Sequence, residues 1–269
     1  MLKEITLGQY IPGNSFVHRL DPRTKILSSL LFIVSLFIIN KYVGYIAVLI
    51  YLFLAIFNSK VHPRFLYNGL KPVFILIVLT AALNVFMIKG TPNERLVDWG
   101  YFSIYKSGVD TAVFMTLRLI LLILGTSLLT LTTSPIELTD GIESLLNPFK
   151  KIGVPAHELA MMMTIALRFI PTLMDETDKI MKAQQARGAD FESGNVIQKA
   201  KNLIPLLVPL FISSFRRADE LAMAMEARCY RGGAGRTRMK VLKYDTIDYI
   251  AYLSIFMLLA VGLFVRFAL

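Results

Sequence analysis

The sequence predicts an all-α membrane protein, and three observations carry that expectation. Of its 269 residues 55% are hydrophobic, and the mean hydropathy of +0.58 is too high for a soluble domain that must cover its core with polar surface. The apolar residues gather into long runs bounded by charge. Between the last two runs lies a basic stretch whose punctuation is helical. About five transmembrane helices are expected, with a cytoplasmic domain of one short and two long kinked helices.

The runs are Ile26 to Ile39, Tyr42 to Phe57, Val73 to Ile88, Ala112 to Leu131 and Tyr249 to Val265. A single helix over the first two would be about 48 Å long, well beyond a hydrocarbon core of roughly 30 Å, so Asn40 and Lys41 are read as the turn of a hairpin. Each half is short, and tilt or local bilayer thinning must supply the difference. A hairpin places His18, Arg19, Arg23 and Lys25 on the same side as Lys60, Arg64 and Lys71. Counting onward, the long basic stretch joins them inside, as positive-inside charge bias requires. The N-terminus is then cytoplasmic and the C-terminus external, and the connection Lys89 to Lys106, with the lone Trp99, faces out. The organisation expected is a membrane domain of four helices over 1–131, a cytoplasmic domain over 132–243 and a C-terminal transmembrane helix over 244–269. The first run follows a polar leader containing Asp21 and Pro22 and precedes no small-x-small site, so it is read as a retained helix, not a cleaved signal.

The stretch from Thr132 to Lys243 carries more than half of the 29 Lys and Arg residues. Charge of this size also suits nucleic acid, but no such motif or aromatic-interleaved groove accompanies it, and apolar runs flank it on both sides. Ser134-Pro135-Ile136-Glu137 reads as an N-cap with Pro in the first turn, opening a short amphipathic helix that stops near Asn147-Pro148. After Gly153-Val154-Pro155 a much longer segment runs through His157 to Arg187, ahead of Gly188. A third begins after Gly194-Asn195, passes Pro205 and Pro209 and reaches Arg228, ahead of Gly232-Gly233. Leu159 to Leu173 and Leu203 to Phe215 are almost wholly apolar, whereas Asp175 to Arg187 and Arg216 to Arg228 are rich in charge. The first halves need lipid or protein cover and the second halves suit water and a polar partner. Pro171, Pro205 and Pro209 are expected to kink or break these helices, because each removes a backbone donor.

Both long segments end alike, in Ala186-Arg187-Gly188 and in Ala227-Arg228-Cys229. A lone Arg in a last helical turn is ordinarily a solvated residue that complements the macrodipole. Two such endings on two helices with the same apolar-to-charged gradient are a stronger signal. With the leader His18-Arg19-Leu20-Asp21-Pro22-Arg23-Thr24-Lys25 and the segment Leu167-Arg168-Phe169-Ile170-Pro171, the chain resembles, over nearly its whole length, the CbiQ/EcfT family. Members are transmembrane coupling subunits of energy-coupling-factor (ECF) transporters, ABC-type importers of vitamins and metal ions. The resemblance implies that the two long segments are crossing coupling helices. It also implies that Arg187 and Arg228 each enter a groove on one of two cytosolic ATPase subunits, and that a small membrane subunit binds the substrate. Arg suits that role because its planar, permanently charged fork makes several directed hydrogen bonds. Cys229 departs from the family's Ala-Arg-Gly pattern and leaves that helix ending open. The chain has no G-x-x-x-x-G-K-[ST] loop, since Gly232-Gly233-Ala234-Gly235-Arg236 follows a helix and lacks the Lys-Ser/Thr end, so it is expected to be non-catalytic and to draw on ATP through other chains.

Arg118 lies inside an apolar run, where a charge costs about 2.5–3.5 kcal/mol on insertion scales, and must face protein or water. A structural partner such as Asn84 and a contact to the substrate-binding subunit are equally open for it, and Arg168 and Pro171 join it as candidate partner or structural residues. His18, His62 and His157 are scattered and Cys229 is the single cysteine, so neither a metal nor a cofactor site is expected. Asp175, Glu176 and Asp178 beside Lys179 and Lys182, and Asp219 and Glu220 beside Arg216 and Arg217, read as solvated pairs within their own helices. The run Met161-Met162-Met163 reads as adaptable packing. The alternative function, a self-contained secondary transporter or channel, calls for ionisable residues in several spans or an internal repeat, and the sequence offers neither.

Overall fold

A computed structural model describes residues 10–88, 95–98, 103–191, 195–233 and 241–268. Trp99 and the positions Ala234 to Arg236 of the Gly-rich segment lie outside the described residues. The chain forms two compact units, one of residues 142–241 and the other, among the described residues, of 10–141 with 242–268.

The larger unit opens on the leader. Ser15 caps α1 (Phe16–Arg19), accepting from His18 N–H at 3.3 Å, and Asp21 caps α2 (Pro22–Ile38), accepting from Arg23 N–H at 2.9 Å with Pro22 in the first turn. A brief non-helical turn at Ile39 to Lys41 leads into α3 (Tyr42–Ser59), where the sequence places the hairpin. The chain continues in α4 (Pro63–Leu70), a 3-10 turn and α5 (Phe74–Met87), then in β1 (Arg95–Asp98) and β2 (Ser103–Tyr105), an antiparallel pair inside the expected connection. Val97, Ile104 and Tyr105 are the β-branched and aromatic residues that suit such a ladder. α6 (Lys106–Thr132) returns antiparallel to α5 and packs on it, and α11 (Thr246–Ala268) closes the unit against α2 and α3.

The core of this unit is Phe32, Leu36 and Ile39 from the end of α2, Tyr45, Val48 and Leu52 from α3, Leu121 from α6, and Ile255 and Leu258 from α11. A β-carbon at Gly125 of α6 would lie 2.2 Å from the Phe32 ring, so this glycine is the notch that admits the ring. Outward-facing residues are equally apolar, among them Ile50, Phe53, Phe57, Ile75, Leu253 and Phe264, which is what a lipid solvent demands. Among the described residues, four helical stretches are long and apolar enough to cross a membrane: α3, residues 63–87, α6 and α11. The second begins ten residues before the expected run Val73 to Ile88, because α4 leads into α5 through the 3-10 turn, and it therefore contains Arg64 and Lys71. α2 is 17 residues, about 26 Å, and packs on both α6 and α11.

Buried polar groups tie the ends of the unit together. Lys25, 5% exposed and just ahead of the apolar run, donates to the carbonyls of His18 and Thr132, both at 2.9 Å, so one ammonium joins the leader to the last turn of α6. Burial pushes this ammonium down to about 8, against the pull of Glu137, Asp248 and Asp21. Asp248, 1% exposed in the first turn of α11, accepts from the N–H groups of Asp21 and Asp245, both at 2.8 Å. Arg23 pairs with Asp21 at 2.9 Å and lies over the Tyr244 ring.

α7 (Pro135–Leu146) begins as expected, with the Ser134 hydroxyl accepting from Glu137 N–H at 3.3 Å, and gives way to a 3-10 turn over Asn147–Ile152. The chain division falls within it, after Gly141. In the smaller unit α8 (Ala156–Ala186) is continuous for 31 residues through Pro171. The third segment is broken into two helices, α9 (Val196–Asn202) and α10 (Ile204–Ala227), at Pro205, one of the prolines expected to kink or break it. The physical reason is Pro205: a proline is tolerated in the first turn of a new helix but not in the interior of an old one.

Candidate functional site

α8 and α10 pack antiparallel. The Gln184 side chain, near the end of α8, donates to the Pro205 carbonyl near the start of α10 at 3.4 Å. That carbonyl is the acceptor that Pro209, one turn on, has no N–H to fill. Midway, Glu176 of α8 accepts from the hydroxyl of Ser213 and from Nη2 of Arg217 on α10, the latter at 3.0 Å. Further on, the Arg217 guanidinium lies 5.8 Å from the Phe169 ring centre, and Ile165 and Leu173 face Leu221 and Met225 across a cavity of about 260 Å³. The C-terminal ends of the two helices therefore point in opposite directions.

Those ends carry the paired triplets in matching backbone geometry. After α8, Arg187 is the C-cap and Gly188 is left-handed at φ 88°, with the N–H groups of Gly188 and Ala189 donating to Gln185 and Gln184 at 2.9 and 3.0 Å. After α10, Arg228 is the C-cap and Cys229 is left-handed at φ 57°, with the N–H groups of Cys229 and Tyr230 donating to Glu226 and Met225 at 2.9 and 3.0 Å. Both are Schellman endings. The departure at Cys229 leaves the cap intact, and a side chain is held where glycine costs least. Arg187 and Arg228 are both exposed, and neither side chain has a hydrogen-bond or ion-pair partner among the described residues. At 1.5 Å per residue from the facing pair Glu176 and Arg217 they stand about 33 Å apart along the hairpin.

Other expected site residues are placed as follows. Ala186 and Ala227 are the last helical residues before the caps, and Arg168 and Pro171 are exposed on α8. Arg118 does not pair with Asn84, which donates to the Thr80 carbonyl on its own helix at 2.8 Å. Its Nε donates to the Tyr45 hydroxyl at 3.0 Å and its Nη2 to Asn40 Oδ1 at 3.3 Å, with the Phe37 and Phe114 rings beside it. Arg118 thus joins α6 to the α2–α3 turn, because the hydroxyl of Tyr45 and the amide of Asn40 offer the acceptors that α5 does not. Glu176 and Arg217 correct the expectation of pairing within one helix: in an antiparallel pair the facing helix offers a carboxylate held by two donors, where a neighbour on the same helix competes with water. His157 lies 3.0 Å from Glu143, and a β-carbon at Gly233 would lie 2.6 Å from its ring, so the chain leaving α10 returns to the start of α8. Among the described residues no three His, Cys, Asp or Glu side chains gather as metal ligands would.

Sequence reasoning missed the Glu176 clasp and Asp248. For Asp248 a signal existed: Asp245-Thr246-Ile247-Asp248 has capping-box spacing, and its carboxylate does reach back to the Asp245 N–H. No local pattern marks its second partner, 227 residues away.

Fold and surface define an all-α membrane protein that carries a helical hairpin with two equivalent, outward arginine ends. A family model described as cobalt transport protein, CbiQ, matches residues 13–241. The energy-coupling factor transporter transmembrane protein EcfT of Clostridium kluyveri is 66% identical over 266 residues, 99% of this chain and 98% of that one. The proteins of the same name from Thermosediminibacter oceani and Brevibacillus brevis are 61% and 52% identical, each over 97% of this chain and over 97% and 98% of their own. The chain belongs to the CbiQ/EcfT family and is a transmembrane subunit of an energy-coupling factor transporter.

Proposed function

We propose that this subunit couples two cytosolic ABC ATPases to a small substrate-binding membrane subunit in the cell membrane, for uptake of a vitamin or transition-metal ion. Arg187 and Arg228 each anchor one ATPase, and the chain is a non-catalytic part of the ATP-hydrolysing complex. The observation that carries this reading is the pair of equivalent Schellman-capped arginines at opposite ends of one antiparallel hairpin, exposed and free to pair with another chain. Two matched ends about 33 Å apart suit two copies of one kind of partner.

A helix pair of this length transmits a displacement of either end to the middle. The first half of each helix is apolar and uncovered: Met162 and Met163 of α8, and Leu207, Val208, Phe211 and Phe215 of α10, are all exposed. Such a face suits a membrane-embedded partner, and exposed methionines suit a partner that exchanges. The charge bias of the sequence supports placing the hairpin on the cytoplasmic side with the C-terminus outside.

The test is copurification from membranes of cells that express the whole transporter. Arg187→Glu and Arg228→Glu should each reduce ATPase recovery at least roughly ten-fold, as loss of an interface anchor does, and the double variant should retain none. Lys179→Glu, on α8 but two turns short of its end, should change recovery less than two-fold, as exposed ion pairs do. Full ATPase recovery in the double variant overturns the assignment of these two arginines.

A further inference from the structure

Glu176 is held from two sides by α10. Ser213 and Arg217, one turn apart, donate to its two carboxylate oxygens, Arg217 at 3.0 Å, and the Arg217 guanidinium rests on Phe169, two turns before Glu176 on the same face of α8. The carboxylate and the guanidinium are 24% and 28% exposed, so water screens them only in part and charged hydrogen bonds keep much of their strength. The clasp is also central. Glu176 precedes Arg187 by eleven residues and Arg217 precedes Arg228 by eleven, so each arginine stands at the end of an arm of about 16 Å.

Packing on the two sides of the clasp differs. Towards the end of α8 the helices are joined by Gln184 and the Pro205 carbonyl. Towards the end of α10 they are separated by the apolar cavity of about 260 Å³ between Phe169 and Met225, and Nη1 of Arg217 is buried without a partner among the described residues. Apolar side chains around unfilled volume can close up or spread at little cost, whereas the two-donor grip on Glu176 has one geometry.

We propose that Glu176 is a positioning residue for coupling: gripped by Ser213 and Arg217, it is the pivot about which α8 and α10 change their crossing, and it sets the relation between Arg187 and Arg228. This rests on the coupling role of those arginines. Weakening the pivot leaves each arginine able to hold its ATPase but lets the two ends move independently, so that hydrolysis continues without uptake.

The experiment uses the complete transporter, in a Cys229→Ser background, with spin labels at cysteines replacing Glu158 and Ala224, which flank one end of the hairpin. Uptake per ATP hydrolysed is measured on the same preparations. Glu176→Ala should broaden the label distance distribution and lower uptake per ATP roughly ten-fold with ATPases still bound, and Glu176→Gln, which can still accept from Ser213, should lie between. The exchange Glu176→Arg with Arg217→Glu should restore at least half of the coupling, which a merely space-filling role for Glu176 does not explain. An unchanged distance distribution and unchanged uptake per ATP in Glu176→Ala refute the pivot. Absence of ATPases from the unsubstituted chain instead refutes the coupling reading beneath it, so the two failures are separable.

Discussion

Replacement of Asp248 tests the buried polar tie between the chain's two ends. Its two carboxylate oxygens accept the N–H groups of Asp21 and Asp245 at 2.8 Å, and the residue is 1% exposed. A hydrogen bond to a charged group contributes about 1.5–3 kcal/mol, and an unpaired buried N–H costs a comparable amount. Asp248→Asn keeps one acceptor and turns an amide donor toward the other N–H, so it should cost about 2–3 kcal/mol. Asp248→Ala leaves both N–H groups unpaired and should cost about 3–6 kcal/mol. At about 2–4 °C per kcal/mol, the asparagine variant should unfold roughly 4–12 °C lower, and the alanine variant lower still. The assay is the fraction of purified protein in detergent that remains monodisperse by size-exclusion chromatography after heating. If both variants lose less than about 2 °C, or if asparagine is as harmful as alanine, the one-bond-against-two reasoning fails.

Cys229 is held left-handed at φ 57°, a conformation that costs a side-chain-bearing residue roughly 1–2 kcal/mol and glycine almost nothing. Cys229→Gly should therefore raise the melting temperature by about 2–4 °C or more in the same assay, and a fall would show that the thiol makes a stabilising contact. For topology, cysteines replacing Lys151 and Arg266 in a Cys229→Ser background should divide in intact cells: a membrane-impermeant maleimide should label the second and spare the first. Labelling at Lys151 from outside reverses the orientation proposed from charge.

What was legible locally was legible well. Ser134, Pro135, Gly153 and Gly188 mark helix ends by their own backbone chemistry, and the structure starts and stops α7 and α8 at those marks. The pairing of Arg187 with Arg228 was visible because a Schellman ending is a property of four or five consecutive residues. Pro205 reads in the sequence as a kink or a break, and tertiary structure makes it a break with a restart: α9 ends at Asn202 and α10 opens with the proline in its first turn. Arg118 was recognised as a charge needing a partner, but Asn84, on a helix that does pack against α6, was the wrong one, since its amide is used one turn back along α5.

The sequence alone determined that this chain lives in a membrane, that it is helical, where most of its helices end and which arginines cap them, because hydropathy and capping act within a few turns of chain. Tertiary structure alone decided which distant polar groups meet. Asp21 and Asp248, Lys25 and Thr132, and Glu176 and Arg217 are separated by 227, 107 and 41 residues. A hydrogen bond requires contact within about 3 Å, and only the packing of whole helices brings such residues that close.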